Sequence, residues 1–176
     1  MRTGPWLPGP EPFSTDRPDL PGYGLAPADG GEGLLPWSWA VEKVEHARNY
    51  WVATSSPSGV PHLAAVWGVW VGGALYFSTG KQTVKARNLA ASARCVVSTE
   101  GADEAVVVHG VAERVGDPAA VDYVRKVYVE KYGEGFPDAT EEPLFAVAPR
   151  IVVGTMSDPA RFTTTATRWH FATIDG

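Results

Sequence analysis

The chain has 176 residues and a formal net charge of -5, enough for one domain with a real core but not for two large ones. The acidic balance, with no basic stripe interleaved with aromatics, argues against nucleic acid as a partner. A single cysteine, Cys95, excludes disulfide frameworks and cysteine-rich metal sites, and no apolar run is long enough to span a bilayer.

Residues 1–36 are dense in proline and glycine, a composition that cannot build a packed core. They read as an N-terminal arm without regular structure, which Trp6, Phe13 and Tyr23 could pin to the body or to a partner subunit. No signal peptide is visible, so the cytoplasm is the expected location. The folded domain is expected over 37–176. Ser38 is placed to cap a helix from Trp39 to Arg48, and Tyr50 to Thr54 follows as a short strand. Ser55 to Gly59 is a turn. Val60 to Val71 is a long strand in which Gly68 marks a bend or a close backbone approach. Trp67 and Trp70, three apart, should face opposite sides of it. Gly72-Gly73 is a hairpin signal leading into the strand Ala74 to Phe77.

The next stretch concentrates the chemistry. Ser78 and Thr79 put two hydroxyls at a strand end, Gly80 allows a turn, and a helix starts near Thr83. Its free N–H groups and dipole, with Lys81, Lys85 and Arg87, make an anion site suited to a phosphate. On a helix, Lys81, Lys85 and Asn88 share a face while Arg87 points elsewhere. A solvated surface helix with ordinary lysines is the plain alternative.

Cys95 to Thr99 and Ala105 to Val115 are strands, joined by a turn over 100–104. Asp117 caps a helix with Pro118 in its first position, and Gly133 ends it. After a loop over 133–143, Leu144 to Val153 and Arg161 to Phe171 are the last two strands, with Pro149 bending or interrupting the first. The count is about seven strands and three helices. Short connections make the sheet largely antiparallel, and a closed barrel removes its edges.

This order of elements resembles the split β-barrel family of flavin and deazaflavin oxidoreductases related to pyridoxamine 5′-phosphate oxidase. The residues that carry it are Tyr50-Trp-Val-Ala-Thr54, Gly59-Val-Pro-His62, Val66-Trp-Gly-Val-Trp70, Leu75 to Thr79, Lys85-Ala-Arg-Asn-Leu89 and Ala166-Thr-Arg-Trp169. The Lys-x-Arg-Asn-Leu run is closer to the branch that uses coenzyme F-420. The resemblance implies a mainly β fold with flanking helices, a split barrel that forms a homodimer with the cofactor between subunits. It implies a ring beside Val66 and Trp67. The phosphate would meet Ser78, Thr79, Lys81, Thr83 and Lys85, with Arg87 and Asn88 as further contacts, and Trp169 would come from the partner. Two departures stand out. Thr83-Val84-Lys85 replaces the family's frequent Ser-Arg-Lys, so one arginine is missing. His170 stands where an arginine often follows the closing Thr-Arg-Trp.

Such chemistry needs no catalytic triad, because the cofactor carries the hydride. The chain shows none: no Gly-x-Ser-x-Gly elbow, and four histidines, His46, His62, His109 and His170, without metal-ligand spacing. His62 opens a strand near the expected cleft, His170 could make a proton-dependent contact, and His109 reads as an ordinary strand residue. Tyr123, Tyr128 and Tyr132 could rim a substrate opening. The leading expectation is an oxidoreductase moving hydride between F-420 and a small organic substrate. FMN is the alternative cofactor, and a non-catalytic flavin- or haem-binding protein is the rival of another class.

Overall fold

A computed structural model describes residues 9–27, 31–133, 135–138 and 141–172. Eight strands and four helices occur among them, in the order β1 (Ser14–Asp16), α1 (Trp37–His46), β2 (Asn49–Ser55), β3 (Pro61–Val71), β4 (Ala74–Ser78), α2 (Val84–Ala91), β5 (Arg94–Thr99), β6 (Glu104–Arg114), α3 (Pro118–Tyr132), β7 (Leu144–Met156), α4 (Pro159–Thr165) and β8 (Thr167–His170). The strands follow the order β1-β8-β7-β4-β3-β2-β5-β6, and β6 also pairs with β7. That last pairing closes β7-β4-β3-β2-β5-β6 into a six-stranded antiparallel barrel. The split comes from β7, whose first residues pair with β4 and whose later ones pair with β8.

Alternation builds the barrel core. On β2, Tyr50, Val52 and Thr54 are buried while Trp51 and Ser55 are exposed. The inward set packs with Leu75, Phe77, Val97, Val108, Val147 and Trp169. Each fully buried Val or Leu contributes about 1.5–3 kcal/mol of transfer free energy. From Val69 on, β3 is buried on both faces. There α3 lies outside the barrel and packs Val124 and Tyr128 against Val69, Val71 and Tyr76.

Trp67 is 53% exposed and Trp70 6%, on opposite faces as expected. Gly68 marks a close approach: a Cβ there would sit 2.8 Å from the Tyr76 carbonyl oxygen. The hairpin at Gly72 and Gly73 has φ of +57° and +76°, the left-handed region this turn demands.

Four expectations need correcting. The arm contains a strand: β1 pairs with β8, tied by Asp16 to Arg168 at 2.8 Å through two parallel hydrogen bonds. The buried Arg17 adds bonds to the carbonyls of Thr164, Ala166 and Glu32. Trp6 lies outside the described residues. Helix α1 starts at Trp37, with Pro36 in the capping position and no side-chain cap from Ser38. The stretch Arg161 to Phe171 is not one strand. Asp158 caps α4 through the Ala160 N–H, Pro159 opens the helix, and only Thr167–His170 pairs. Pro149 does not interrupt β7, which runs on to Met156, but the register with β6 shifts beside it.

Candidate functional site

A cleft of about 430 Å³ opens where β3, β4 and the end of α3 meet. Trp67, Ser78, Tyr128 and Glu142 line it, together with Asn49 and Val66. Strand alternation pushes Trp67 outward, and Tyr132 fixes its ring by stacking on it at 5.3 Å with planes 11° apart. The Tyr132 hydroxyl is itself held between the Gly68 N–H at 3.0 Å and the Gly68 carbonyl at 2.8 Å. Tyr128 packs against Tyr132 at 4.7 Å and against Phe136 at 5.3 Å. The cleft thus has a rigid aromatic wall with one exposed indole.

The turn into α2 follows directly on Ser78, at the end of β4. Thr83 caps the helix, its hydroxyl accepting from the Ala86 N–H at 3.3 Å and meeting the Thr79 hydroxyl at 3.0 Å. Lys85 follows in the first turn. Burial pushes its ammonium below the ordinary lysine range, and the Glu142 carboxylate partly restores it. Lys85 makes no hydrogen bond or ion pair among the described residues. Lys131, on the α3 side, is also desolvated, and burial lowers it to about 8. Its case differs, because it donates to the Tyr50 hydroxyl at 3.0 Å and to the Gly68 carbonyl at 3.1 Å.

The residues expected from sequence divide into three groups. Trp67 and Ser78 line the cleft, Lys85 lies in the field of Glu142 on its wall, and Val66 borders it although its side chain belongs to the core, 7% exposed. Thr79, Lys81, Thr83 and Arg87 are at the turn, yet several of their groups already have partners. Lys81 pairs with Glu141 at 3.0 Å, and Arg87 donates to the Gln82 carbonyl at 2.7 Å. The Lys81 N–H reaches the Glu141 carbonyl, and the Ser78 hydroxyl donates to the Glu142 carbonyl at 2.7 Å. Asn88 and Trp169 form the third group. Asn88 is 5% exposed and bonds Thr54, and Trp169 is 1% exposed within the core. As placed, neither offers a ligand any surface, because helical and strand periodicity turn both inward.

His62 does not line the cleft: it pairs with Thr54 near the start of β3, and its buried Nδ1 has no hydrogen bond among the described residues. His170 points instead to the arm, with Nε2 3.2 Å from Asp16. Sequence reading missed Lys131 and Glu142. No local pattern marks them, since each reaches the site through contacts distant in the chain. Among the described residues no cluster of histidine, cysteine or acidic side chains could hold a metal ion. Among the same residues no helix is long and apolar enough to cross a membrane.

The closed six-stranded antiparallel barrel, with a helix start and an aromatic cleft on its flank, defines a split-barrel protein. Residues 40–153 match the family model described as pyridoxamine 5′-phosphate oxidase, and the chain belongs to that family. Among solved structures, a conserved hypothetical protein from Mycobacterium tuberculosis aligns with TM-score 0.62 and 24% identity, covering 72% of this chain and 88% of that one. An F-420 reductase aligns with TM-score 0.52 and 24% identity, over 63% of this chain and 93% of that one. A heme binding protein from Mycobacterium smegmatis aligns with TM-score 0.60 and 16% identity, over 74% and 61%. No curated protein matches the sequence.

Proposed function

We propose that the protein is an oxidoreductase that holds coenzyme F-420 in the β3–β4 cleft and reduces a small organic substrate there. The observation that carries this reading is an exposed, fixed indole on the cleft and a desolvated ammonium in the field of Glu142, which lines the same cleft. Trp67 offers a flat apolar face, and Lys85 offers a charge that has already lost part of its water. A ligand that joins a planar ring to a phosphate answers both. The cofactor supplies the hydride chemistry, and the chain supplies position and exclusion of water. Tyr132 and Tyr128 keep the indole from turning. The α2 start adds its N–H groups and dipole beside Lys85. An F-420 reductase among the structural neighbours supports the choice of coenzyme by analogy.

FMN is the second reading, and one observation favours it. Lys81 and Arg87 already have partners, so Lys85 is left to serve one phosphate rather than a long anionic tail. The heme binding neighbour motivates a haem arm in the same test. A homodimer belongs to this proposal as well. Trp51, Leu63 and Trp67 are 43%, 60% and 53% exposed on one outer face of β2 and β3, an apolar surface suited to a second copy.

The test is a set of fluorescence titrations of the purified chain with F-420, FMN and haem, with light scattering on the same samples. Micromolar or tighter binding of F-420 alone, by a particle of two chains, is the expected result. Selective binding of FMN moves the reading to the second cofactor. Binding of none of the three removes the oxidoreductase proposal.

A further inference from the structure

We propose that Lys131 is a positioning residue for the aromatic wall of the cleft, and that gain or loss of its proton switches the wall between a fixed and a looser state. Strand β2 begins at Asn49, which pairs with Trp67, so the Gly68 peptide lies just past the end of that pairing. The C-terminal end of α3 fills the place. The Lys131 ammonium donates to the Gly68 carbonyl at 3.1 Å and to the Tyr50 hydroxyl at 3.0 Å, and it reaches the Glu45 carbonyl at 3.5 Å. Tyr132, the next residue, sets its hydroxyl against the carbonyls of Arg48 and Gly68. Trp67, beside Gly68 in the chain, stacks on the Tyr132 ring.

The protons gathered here match the acceptors. Three ammonium protons and the Tyr132 hydroxyl proton face the Tyr50 oxygen and the carbonyls of Glu45, Gly68 and Arg48, one proton for each acceptor. The Tyr50 proton is already used on the Val44 carbonyl. While Lys131 holds the Gly68 carbonyl, the Tyr132 proton is free for Arg48. A neutral amine has one proton fewer, and Tyr132 must then answer two carbonyls with one proton. A buried acceptor left unmet costs free energy. The ammonium also lies 5.4 Å from the centre of the Tyr132 ring and 5.0 Å from that of Tyr50, an attraction the neutral amine lacks. Losing the proton therefore loosens the ring on which Trp67 rests.

The surroundings leave that proton free to exchange near neutral pH. Lys131 forms no ion pair among the described residues. Glu100 favours the ammonium and Arg48 opposes it, but the Glu100 carboxylate is taken by the Arg48 N–H at 2.9 Å and the Asn49 amide at 2.7 Å. Glu45 offers its carbonyl. Tyr50 and Tyr132 keep their own protons, because burial raises both hydroxyls. Burial lowers the ammonium to about 8. The charged form thus destabilises the fold, and what it contributes is position. The effect on the wall holds whatever ligand the cleft takes, whereas its effect on a cofactor rests on the function proposed above.

NMR of the full chain without ligand tests the switch. The indole N–H signal of Trp67, assigned with Trp67→Phe, should move between pH 6 and 10 with one midpoint near pH 8. Lys131→Arg stays charged and should hold the low-pH position throughout, and Lys131→Met should hold another position at every pH. Titration with FMN and with F-420 at pH 7 and pH 9.5 reads the consequence. The affinity of whichever binds should fall about three- to tenfold in the unaltered protein, as for one internal hydrogen bond. It should fall less in Lys131→Arg, where Lys85 alone of the two lysines titrates. A Trp67 signal that does not move near pH 8, or that moves unchanged in Lys131→Arg, overturns the proposal. So does an affinity that falls equally in both proteins. Should neither cofactor bind while the Trp67 signal titrates as described, the switch stands and the cofactor reading falls.

Discussion

The α2 turn and a cavity of about 660 Å³ beside the outer face of β2, lined by Arg94, His109 and Arg150, each gather three basic side chains, and they differ in what answers the charge. At the turn, Lys81 faces Glu141, Arg87 bonds a carbonyl of its own turn, and Lys85 lies in the field of Glu142. In the cavity, Arg94, His109 and Arg150 meet no carboxylate among the described residues. The turn has a helix start, two paired threonine hydroxyls, one of them buried, and little spare charge. The cavity has spare charge and no helix start. Counting cations along a chain therefore overstates one region and overlooks the other. The fold decides which charges remain available to a ligand.

The largest expected effect separates the two regions directly. Lys85→Ala should weaken cofactor binding by about 1.5–3 kcal/mol, the range for a hydrogen bond to a charged group. Arg94→Gln should change it by less than about 0.5 kcal/mol, as expected for a surface change away from the site. Fluorescence titration of both variants measures this. Equal losses in the two would mean that one long ligand spans both regions, and the comparison above would collapse.

A second lysine sharpens the point. Lys131 and Lys85 both lose water, but Lys131 has internal acceptors and Lys85 has none among the described residues. Lys131 also feels Glu100 and Arg48, which pull its ammonium in opposite directions. With its folded value at about 8, below the usual 10.5, the unfolded chain binds more protons between those limits. Stability should therefore rise as pH increases from about 8, by at most about 1.4 kcal/mol per pH unit. The window closes near pH 10, where unfolded tyrosines begin to ionise while buried Tyr50, held higher by burial, does not. Urea denaturation from pH 7 to 10 checks the rise. Lys131→Met should flatten it, leaving the smaller contribution of Lys85, which is shifted the same way. A slope unchanged in Lys131→Met would show that the ammonium keeps its water.

The barrel was legible because its signals are local and periodic. Alternation along β2 and β3, the glycine hairpin and the Asp117-Pro118 start of α3 all act within a few residues. Helix α4 carries the same start, Asp158-Pro159-Ala160, and continues through Thr163-Thr164-Thr165 against the β propensity of that run. The bulge at Arg150 was hidden, since it exists only as a mismatch between two strands far apart in sequence. The same holds for the cleft. Lys85 could be named from local pattern and Trp67 from the family resemblance, whereas Glu142 and the Tyr132 brace depend on where α3 and its loop land.

The smallest effect tests whether the charge at the turn can be released. Glu141→Gln removes the carboxylate facing Lys81 while keeping an amide of similar shape. Both side chains are more than half exposed, at 52% and 68%, so the pair contributes only about 0.2–1 kcal/mol and the thermal midpoint should barely move. The loop stays in place, because its carbonyls still accept from the Lys81 N–H at 3.2 Å and the Ser78 hydroxyl at 2.7 Å. Only the ammonium is freed. Cofactor affinity should then rise by less than about 1 kcal/mol, and the gain should fade as salt screens it. Adding Lys81→Ala to Glu141→Gln should cancel the gain. No gain at low salt would place Lys81 beyond reach of the phosphate and leave Lys85 as its sole lysine contact, the arrangement that favours FMN over the longer anion.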